Sequence, residues 1–466
     1  MAWDRLSAKQ LTTLQDRLVR EQVQHAIAPF SPYWKRRFGE LGTAPASLTS
    51  TEALARVPAV GERDVSPTAD PAGMAGLVLQ ATEGGFALHA PGPTLRRALR
   101  LRLTERDEYR ALVDEDTKPT SYVWSGLGFR YPIASTRGDL DVIARAGARL
   151  WQVVGIDGTD ALLSALPTTQ TAEHQALQFA ALATGTPALF PGDRLPDVTA
   201  AARLAPPTAL AVASSRAAQV ITALADAAVP FDRLRTVLLV GAPSAAERLA
   251  AVKALSASTA PSPAAVAVLA VHAPAAARLL WGECRQAGAD GGLHTYPDFD
   301  LVQTIDPDSG ESVDGAGELV LTQLGLRGSA LLRWRTGDLL PGGVDTAVCP
   351  GCRRQVPRLV GLRRNALVLT SDDGRALDLR AVAGALSGRT DLADWRVVVG
   401  GRRRDGRGQV VVHVVPTGDP GEAAVGAAGD VRTLGGLLPT QFVATTAAEL
   451  AAVTGEPLTP RILRRS

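Results

Sequence analysis

The first stretch of the chain places apolar residues at the spacing of an amphipathic helix. Leucines and valines recur near the helical repeat: Leu11, Leu14, Leu18, Val19 and Val23. Charged and polar side chains fill the positions between them, so a helix formed here has one apolar face and one polar face. Residues 1–60 are therefore predicted to be helical.

The middle of the chain alternates between two patterns. Between residues 120 and 345, short runs of Val and Leu are followed by Ala-rich stretches. One unit is clear, because the apolar run 236–240 predicts a strand and the turn after it leads to a helix that Ser244 can cap. Alternation of this kind is typical of an α/β fold.

Two further segments have strand patterns. In "LVQTIDPDSGESVDGAGELVLTQL" (residues 301–324), a turn rich in Asp, Pro and Gly separates two apolar runs, which predicts a β-hairpin or meander. Beyond residue 361, the order becomes strand, helix, hairpin and helix. We therefore predict a large domain over residues 1–361 and a small α+β domain over residues 362–466.

Composition limits the function classes. The chain has 466 residues, and 46% are hydrophobic, enough for two or three domains. Its 49 basic and 47 acidic side chains leave a net charge of +2, so no nucleic-acid partner is expected. The sequence shows no apolar run long enough to span a membrane and no signal-peptide pattern at its start. We expect a cytoplasmic protein without a membrane partner.

The three cysteines of the chain suggest a metal site. Cys349 and Cys352 form a C-x2-C turn, which lets two thiolates of one loop reach a single zinc ion. Cys284 and His294 could complete a tetrahedral set, which leaves no position for water and fits a structural role. The alternatives are a redox dithiol or two ordinary thiols.

Several motifs together resemble a known family. The segments "GECRQAGADGGLH", "IDPDSGE", "RWRTGD" and "CPGC" occur in this order before "GLRR". They are similar to the central segment of the phenylacetate-CoA ligase family, in the adenylate-forming superfamily. The resemblance implies an α/β fold, with a large N-terminal adenylate-forming domain of mixed sheets and helices and a small α+β lid domain. It also implies that the three cysteines and His294 bind structural zinc.

The resemblance implies a specific chemistry as well. Family members use ATP to convert a carboxylic acid to an acyl-adenylate and then transfer the acyl group to coenzyme A. The residues that match the phosphate-binding loop of the family are Ser125, Gly126, Gly128 and Arg130. Both threonines of that loop are absent, and Phe129 brings a side chain to a place where the backbone must approach phosphate. The loop is therefore predicted to be impaired.

The residues that match the nucleoside and magnesium sites are only partly retained. Asp338 matches the aspartate that binds both ribose hydroxyls, and Arg335 lies beside it. A satisfied carboxylate in a turn is the alternative for Asp338. His272 lies near the adenine-stacking position, as a ligand contact or as a structural histidine, and Ala275 takes the place of the magnesium-binding glutamate. Nucleotide and magnesium binding are expected to be weak or lost.

The lid also departs from the family pattern. At the hinge, Leu362 takes the place of an arginine, and Arg364 and Asn365 take the place of acids. The family's catalytic lysine near the C-terminus has no counterpart, because the last lysine is Lys253. Arg461 could supply the charge, but a planar guanidinium does not replace a compact ammonium group. Losing one such contact costs about 3–4 kcal/mol of transition-state stabilisation, so catalytic residues are left unassigned.

These observations favour a divergent homologue in specialised metabolism that keeps the fold and the zinc but has largely lost ATP-dependent adenylation. Its expected partners are a small acyl or aromatic carboxylic acid, its thioester, or an acyl-carrier protein. The polar candidates in the acyl pocket are His174 and Gln175, with a surface-helix position as the alternative. Two other hypotheses remain: an active acyl- or aryl-CoA ligase with compensating arginines, and a non-catalytic interaction subunit.

Overall fold

The fold is described from a computed structural model that covers most of the chain. The described residues are 3–62, 64–65, 70, 72–81, 83–89, 92–125, 131–168, 171–230, 232–258, 266–274, 276–307, 309–364, 368–370, 376–379, 382, 385–386, 389–402, 408–433, 439, 441–454 and 462–464. Within them, no helix is both long and apolar enough to cross a membrane.

Helices dominate the first half of the chain. In chain order, they are α1 (Ala8–Gln22), α2 (Ala28–Phe30), α3 (Pro32–Glu40), α4 (Thr51–Ala55), α5 (Gly73–Leu77), α6 (Glu83–His89), α7 (Gly92–Thr104), α8 (Arg106–Thr117), α9 (Arg137–Val154), α10 (Ala172–Thr184), α11 (Leu195–Leu204), α12 (Ala217–Asp226), α13 (Ala245–Ala257), α14 (Pro420–Thr433) and α15 (Ala447–Thr454). A π-helical turn, Val23–Ile27, joins α1 to α2. The helical start predicted from the sequence is confirmed.

The buried face of α1 differs from the simple apolar pattern. It buries Gln15, Val19 and Gln22, whereas Leu11 and Leu14 are only half-buried. The buried glutamines are tolerated because their amide groups donate to backbone carbonyls elsewhere in the chain. The helix is therefore docked partly by hydrogen bonds to distant loops.

Strands make up most of the rest. They are β1 (Pro119–Ser125), β2 (Tyr131–Thr136), β3 (Leu162–Ala165), β4 (Ala188–Leu189), β5 (Ala209–Ala213), β6 (Thr236–Val240), β7 (Ala267–His272), β8 (Trp281–Glu283), β9 (Leu293–His294), β10 (Asp300–Ile305), β11 (Ser312–Val313), β12 (Gly317–Gln323), β13 (Trp334–Leu340), β14 (Val344–Asp345), β15 (Arg358–Leu359), β16 (Arg363–Arg364), β17 (Val368–Thr370), β18 (Ala376–Asp378), β19 (Leu392–Arg402), β20 (Gly408–Pro416), β21 (Gln441–Ala444) and β22 (Ile462–Arg464).

A nine-stranded sheet forms the centre, in the order β14-β15-β9-β8-β7-β6-β5-β3-β4. Strands β3 to β7 pair in parallel, and the pairing becomes antiparallel from β7 to β14. The predicted strand β6 and the helix after it are confirmed, and Ser244 caps α13 together with Glu247 in a capping box. Burial of β5 and β6 on both faces is typical of parallel strands under helices.

Two smaller sheets complete the main strand architecture. The predicted meander is confirmed, because β10 and β12 pair antiparallel in a sheet of order β11-β10-β12-β13-β16. In the C-terminal part, β21, β20, β19 and β22 form a mixed sheet whose core includes Trp395, Val412 and Val431. The domain boundary at residues 361/362 stays a prediction.

A buried ion pair ties several elements together. Arg278 donates to the carboxylate of Asp139 at 2.8 Å, and both side chains have no solvent exposure. The Asp139 carboxylate also accepts backbone N–H bonds from Thr136, Arg327 and Gly328. The remaining guanidinium contacts of Arg278 are to backbone carbonyls and to Gln323. A buried ion pair with all its hydrogen bonds made is expensive to break.

The carboxyl group of Asp300 makes stability depend on pH. Burial raises its pKa from 3.8 to about 7, with Asp298 adding to the rise. The folded state therefore keeps this proton to higher pH than the unfolded chain does, and the free energy of unfolding falls as pH rises through that interval. Asp300→Asn mimics the protonated group, so we expect a smaller fall between pH 4 and pH 7, measured by urea unfolding.

The matched control for this prediction is Asp232→Asn, because Asp232 is exposed and its replacement should leave the pH dependence unchanged. A wild-type slope in the Asp300→Asn protein would contradict the assignment. The Asn side chain can still accept the 2.9 Å hydrogen bond from the indole N–H of Trp281, so loss of that bond would not explain the result.

Candidate functional site

The predicted metal ligands come together in the structure. The ligand atoms of Cys284, His294, Cys349 and Cys352 all lie within 4.8 Å of one another. The sulfur atoms of Cys284 and Cys349 are 3.7 Å apart, close to the separation of about 3.8 Å for two thiolates on a tetrahedral zinc ion. The residues therefore fit a four-coordinate metal site.

The orientation of His294 also fits metal binding. Its Nδ1 lies 3.1 Å from the carbonyl of Gly292, and a carbonyl can only accept, so Nδ1 carries the proton. The bare Nε2 then faces the cluster, 3.2 Å from the sulfur of Cys352. Burial, with Arg358 nearby, lowers the pKa of His294 to about 4. A backbone carbonyl that fixes the tautomer is typical of a histidine that binds metal.

Local backbone geometry shapes the C-x2-C turn. The N–H of Cys349 donates to the carbonyl of Arg354, and the N–H of Arg353 donates back to the carbonyl of Cys349. Gly351 is needed because a Cβ there would lie 2.7 Å from the Cβ of Ala287, too close for two carbon atoms. The glycine thus lets the turn pack directly onto the loop that carries Cys284.

The cluster joins separate parts of the chain. Cys284 follows β8, His294 lies in β9, and the C-x2-C turn connects β14 to β15. Just after the turn, Gln355 donates its N–H to the carbonyl of Asp4, and Arg354 donates to the carbonyl of Gln152 in α9. A metal at this position would hold the antiparallel edge of the central sheet, the first residues of the chain and α9 together.

The nucleotide-site candidates are only partly within the described residues. Ser125 ends β1 and accepts a 2.8 Å hydrogen bond from the N–H of Ala276, in the loop after β7. Gly126, Gly128, Arg130 and Arg461 lie outside the described residues, as do Ala275 and Asn365. What the structure describes of the matching loop is therefore Ser125, whose hydroxyl is already bonded to the protein.

Asp338 and His272 meet in the interior. The Nε2 atom of His272 lies 2.8 Å from a carboxylate oxygen of Asp338, and the two side chains are 0% and 3% exposed. The second ring nitrogen faces the N–H of Ala242 at 3.4 Å. Since Nδ1 accepts there, Nε2 carries the proton and donates it to Asp338. The carboxylate that matches a ribose ligand is thus bonded to the protein itself.

Arg335 lies apart from this pair. Its side chain donates to both carboxylate oxygens of Glu318 and to the carbonyl of Pro307. Along β13, buried Trp334, Thr336 and Asp338 alternate with half-buried Arg335, so Arg335 projects from the opposite face of the strand. These bonds of Arg335 tie β13 to β12 and to the turn that follows β10.

The two acyl-pocket candidates lie at the start of α10. His174 packs edge-on against Phe190 with ring centroids 5.2 Å apart, and its buried Nδ1 atom has no hydrogen-bond partner among the described residues. Burial lowers its pKa. Gln175 donates to the hydroxyl of Ser121 in β1 at 2.7 Å. No contact in the described structure joins either residue to the His272–Asp338 pair.

A small cavity lies elsewhere, between the N-terminal helices and α6 to α8. Its volume is about 40 Å³, and its lining residues are His25, Phe30, Leu79, Phe86, Thr94, Asp116, Thr117 and Arg327. No residue predicted from the sequence as a site residue lines it. The space suits a few water molecules, and we assign no function to it.

Comparison with known proteins identifies solved structures that share this architecture. The chain is similar to solved structures of 2-hydroxyisobutyryl-CoA ligase. With that enzyme in the postadenylation state, in complex with R3-HIB-AMP, the TM-score is 0.63 at 17% identity, over 99% of this chain and 90% of that chain. With the same enzyme in the thioesterification state, in complex with 2-HIB-AMP and CoA, the TM-score is 0.62 at 18% identity. This match covers 100% of this chain and 92% of that chain. No family model and no curated protein matches the sequence.

The chain therefore has the fold of these CoA ligase structures, in agreement with the fold expected from the sequence. Identity this low carries the fold alone, and the phenylacetate-CoA ligase family stays a prediction. The sequence also gave no signal of the contact between His272 and Asp338, because 66 positions separate them. Only the arrangement of β7 and β13 in two different sheets brings them together.

Proposed function

We propose that this protein is a divergent adenylate-forming ligase homologue whose ATP-dependent chemistry is largely lost. It retains the fold and a structural zinc ion, held by Cys284, His294, Cys349 and Cys352. It binds a small acyl or aromatic carboxylic acid, its thioester or a carrier protein that presents one, or it runs a different reaction in the same fold. The observation that carries this proposal is the buried bond between His272 and Asp338.

That bond bears directly on nucleotide binding. A ribose needs to donate its hydroxyls to the carboxylate of Asp338, yet one oxygen already accepts from His272 and the side chain is 3% exposed. His272 would have to move before ribose could bind. Its departure would break a buried hydrogen bond, which leaves a polar group without a partner. Only molecules in which His272 has moved away can bind the nucleotide. The apparent affinity is therefore reduced in proportion to the fraction of molecules in that state.

Ser125 supports the same proposal. The hydroxyl that matches the phosphate-binding loop already accepts a hydrogen bond from the N–H of Ala276, which ties its position to the loop after β7. Together with the missing threonines, the alanine at position 275 and the absence of lysine after Lys253, it leaves few groups to stabilise a transferred adenylyl group. The alternative of an active acyl- or aryl-CoA ligase requires His272 to leave and arginines to compensate.

The zinc contributes structure in this proposal. Four protein ligands leave no position for water or substrate on the metal, so it has no open site for catalysis. Its chemistry when bound is to link four side chains with strong coordinate bonds. The chain's own residues do the rest, as the Gly292 carbonyl orients His294 and Gly351 allows the turn to pack on Ala287.

The test of the proposed function is nucleotide binding and adenylation. ATP with magnesium is titrated into the protein by calorimetry, and a panel of aryl and acyl acids is incubated with ATP, magnesium and hydroxylamine. We expect no binding tighter than about 1 mM and no hydroxamate. Binding in the micromolar range together with hydroxamate formation would overturn the proposal and favour the active ligase.

Two variants test whether the hydrogen bond between His272 and Asp338 is what weakens nucleotide binding. His272→Ala removes the hydrogen bond from His272 to the carboxylate of Asp338, so AMP affinity should rise by about tenfold or more. In the double variant His272→Ala with Asp338→Ala, this gain should disappear because the ribose acceptor is gone. A thermal melt of each protein checks that the fold is kept.

A further inference from the structure

The outer face of α7 combines arginine with exposed leucine. Arg96, Leu99, Arg100 and Leu103 follow the spacing i, i+3, i+4, i+7, so they form one stripe along the helix. Leu99 is 45% exposed and Leu103 is 87% exposed. We call these four residues the α7 stripe.

The core does not need these leucines. The inner face of α7 packs in a small cluster shared with α6 and α8: Phe86, Leu95, Ala98, Leu101, Tyr109, Leu112 and Val113. Ala98 is fully buried there, and Leu101 is 8% exposed. Scattered single leucines are normal on a protein surface, but Leu99 and Leu103 lie one helical turn apart, on the same stripe as two arginines.

The charge of α7 has one sign. The helix contains four arginines and no acidic residue: Arg96, Arg97, Arg100 and Arg102. All four are exposed, and no ion pair to Arg96 or Arg100 occurs within the described residues. Acidic residues follow at the start of α8 (Glu105, Asp107 and Glu108), and Glu108 interacts electrostatically with Arg97. The α7 stripe thus offers positive charge without an internal counter-charge.

We propose that the α7 stripe is the docking surface for an acidic helix of a carrier-type protein domain. The carrier-type partner is one of those named in the proposed function, so the choice of partner rests on that proposal. The partner's carboxylates pair with Arg96 and Arg100, and its apolar side chains cover Leu99 and Leu103. Arginine is enriched at protein interfaces, and the buried centre of an interface is more apolar than its rim.

A lipid surface fits the stripe less well. A helix that lies in a membrane interface inserts a continuous apolar face between lipids. In α7 that face, which includes Ala98 and Leu101, is turned inward and buried. The outward face alternates Leu with Arg, so it matches a partner that places acids at fixed positions around its own apolar residues.

The test measures binding of a purified acyl-carrier protein, in its apo and phosphopantetheinylated forms, to the full-length protein by fluorescence anisotropy. We expect Arg96→Glu with Arg100→Glu to weaken binding by about tenfold and to flatten its salt dependence. Leu99→Ser with Leu103→Ser should weaken binding at high salt as well, because apolar contacts are not screened. The matched control is Arg56→Glu with Arg194→Glu, two arginines that are 76% and 78% exposed, with an expected change below about twofold.

Three outcomes would overturn the proposal. They are no binding of wild type at about 100 μM carrier protein, equal weakening by the control pair, and binding to phosphatidylserine vesicles that the α7 variants abolish. The ATP titration does not involve α7, so the α7 variants should titrate like wild type. An experiment that refutes docking at the α7 stripe can therefore be distinguished from one that refutes the loss of nucleotide binding.

Discussion

Cys284→Ser is expected to release the metal and to lower the free energy of unfolding by about 4 kcal/mol or more, because loss of a structural metal is among the largest single-residue effects. The wild-type protein should contain about one zinc per chain by elemental analysis, and the variant close to none. Cys284 is fully buried, with its sulfur 3.7 Å from that of Cys349. Zinc binds a serine hydroxyl much more weakly than it binds a cysteine thiolate.

Val153→Ala is the matched control for this prediction. Val153 is 1% exposed and packs in the same small cluster as Cys284 and Cys349, but it is not a ligand. Its truncation should cost about 1–3 kcal/mol through lost packing and should leave the zinc content unchanged. A Cys284→Ser protein that keeps both its metal and its melting temperature would refute the four-ligand site.

Asp139→Ala is the second large effect that we expect. The substitution leaves Arg278 buried without its counter-charge, and it also removes acceptors from the backbone N–H groups of Thr136, Arg327 and Gly328. Breaking a buried pair from one side typically costs about 3–5 kcal/mol. Chemical denaturation should show this loss as a lower midpoint at unchanged slope.

The control for Asp139 is an exposed pair. Glu52 and Arg56 are 82% and 76% exposed and lie 2.7 Å apart on α4, so Glu52→Ala should change stability by less than about 1 kcal/mol. Equal destabilisation by the two substitutions would contradict the role of burial. The comparison separates the cost of a stranded buried charge from the loss of a surface ion pair.

Local sequence signals carried much of the fold. The strand β6, the Ser244 cap and the β10–β12 pairing were predictable because apolar periodicity, a capping residue and a turn composition each act over a few positions. The helices α6 to α8 were not predicted. In α7, the buried positions are few and arginine fills the remaining faces, so the apolar period is weak.

The candidate sites divide in the same way. The metal cluster could be predicted because zinc restricts its ligands to a few residue types, and the chain has only three cysteines. The hydrogen bond of Asp338 could not be predicted, because it depends on which side chain of a different sheet lies against it. Likewise, the apolar pattern of α1 did not show that Gln15 and Gln22 would be buried, since their carbonyl partners lie in distant loops.

The bond between His272 and Asp338 has a consequence for how such sequences are inherited. Because Asp338 bonds a buried histidine, its replacement would lower stability whether or not a nucleotide binds. The motif "RTGD" can then persist as a record of descent. In relatives of this chain, a histidine at the position of His272 would accompany an aspartate that stabilises the interior, and its absence would remove that hydrogen bond from the carboxylate.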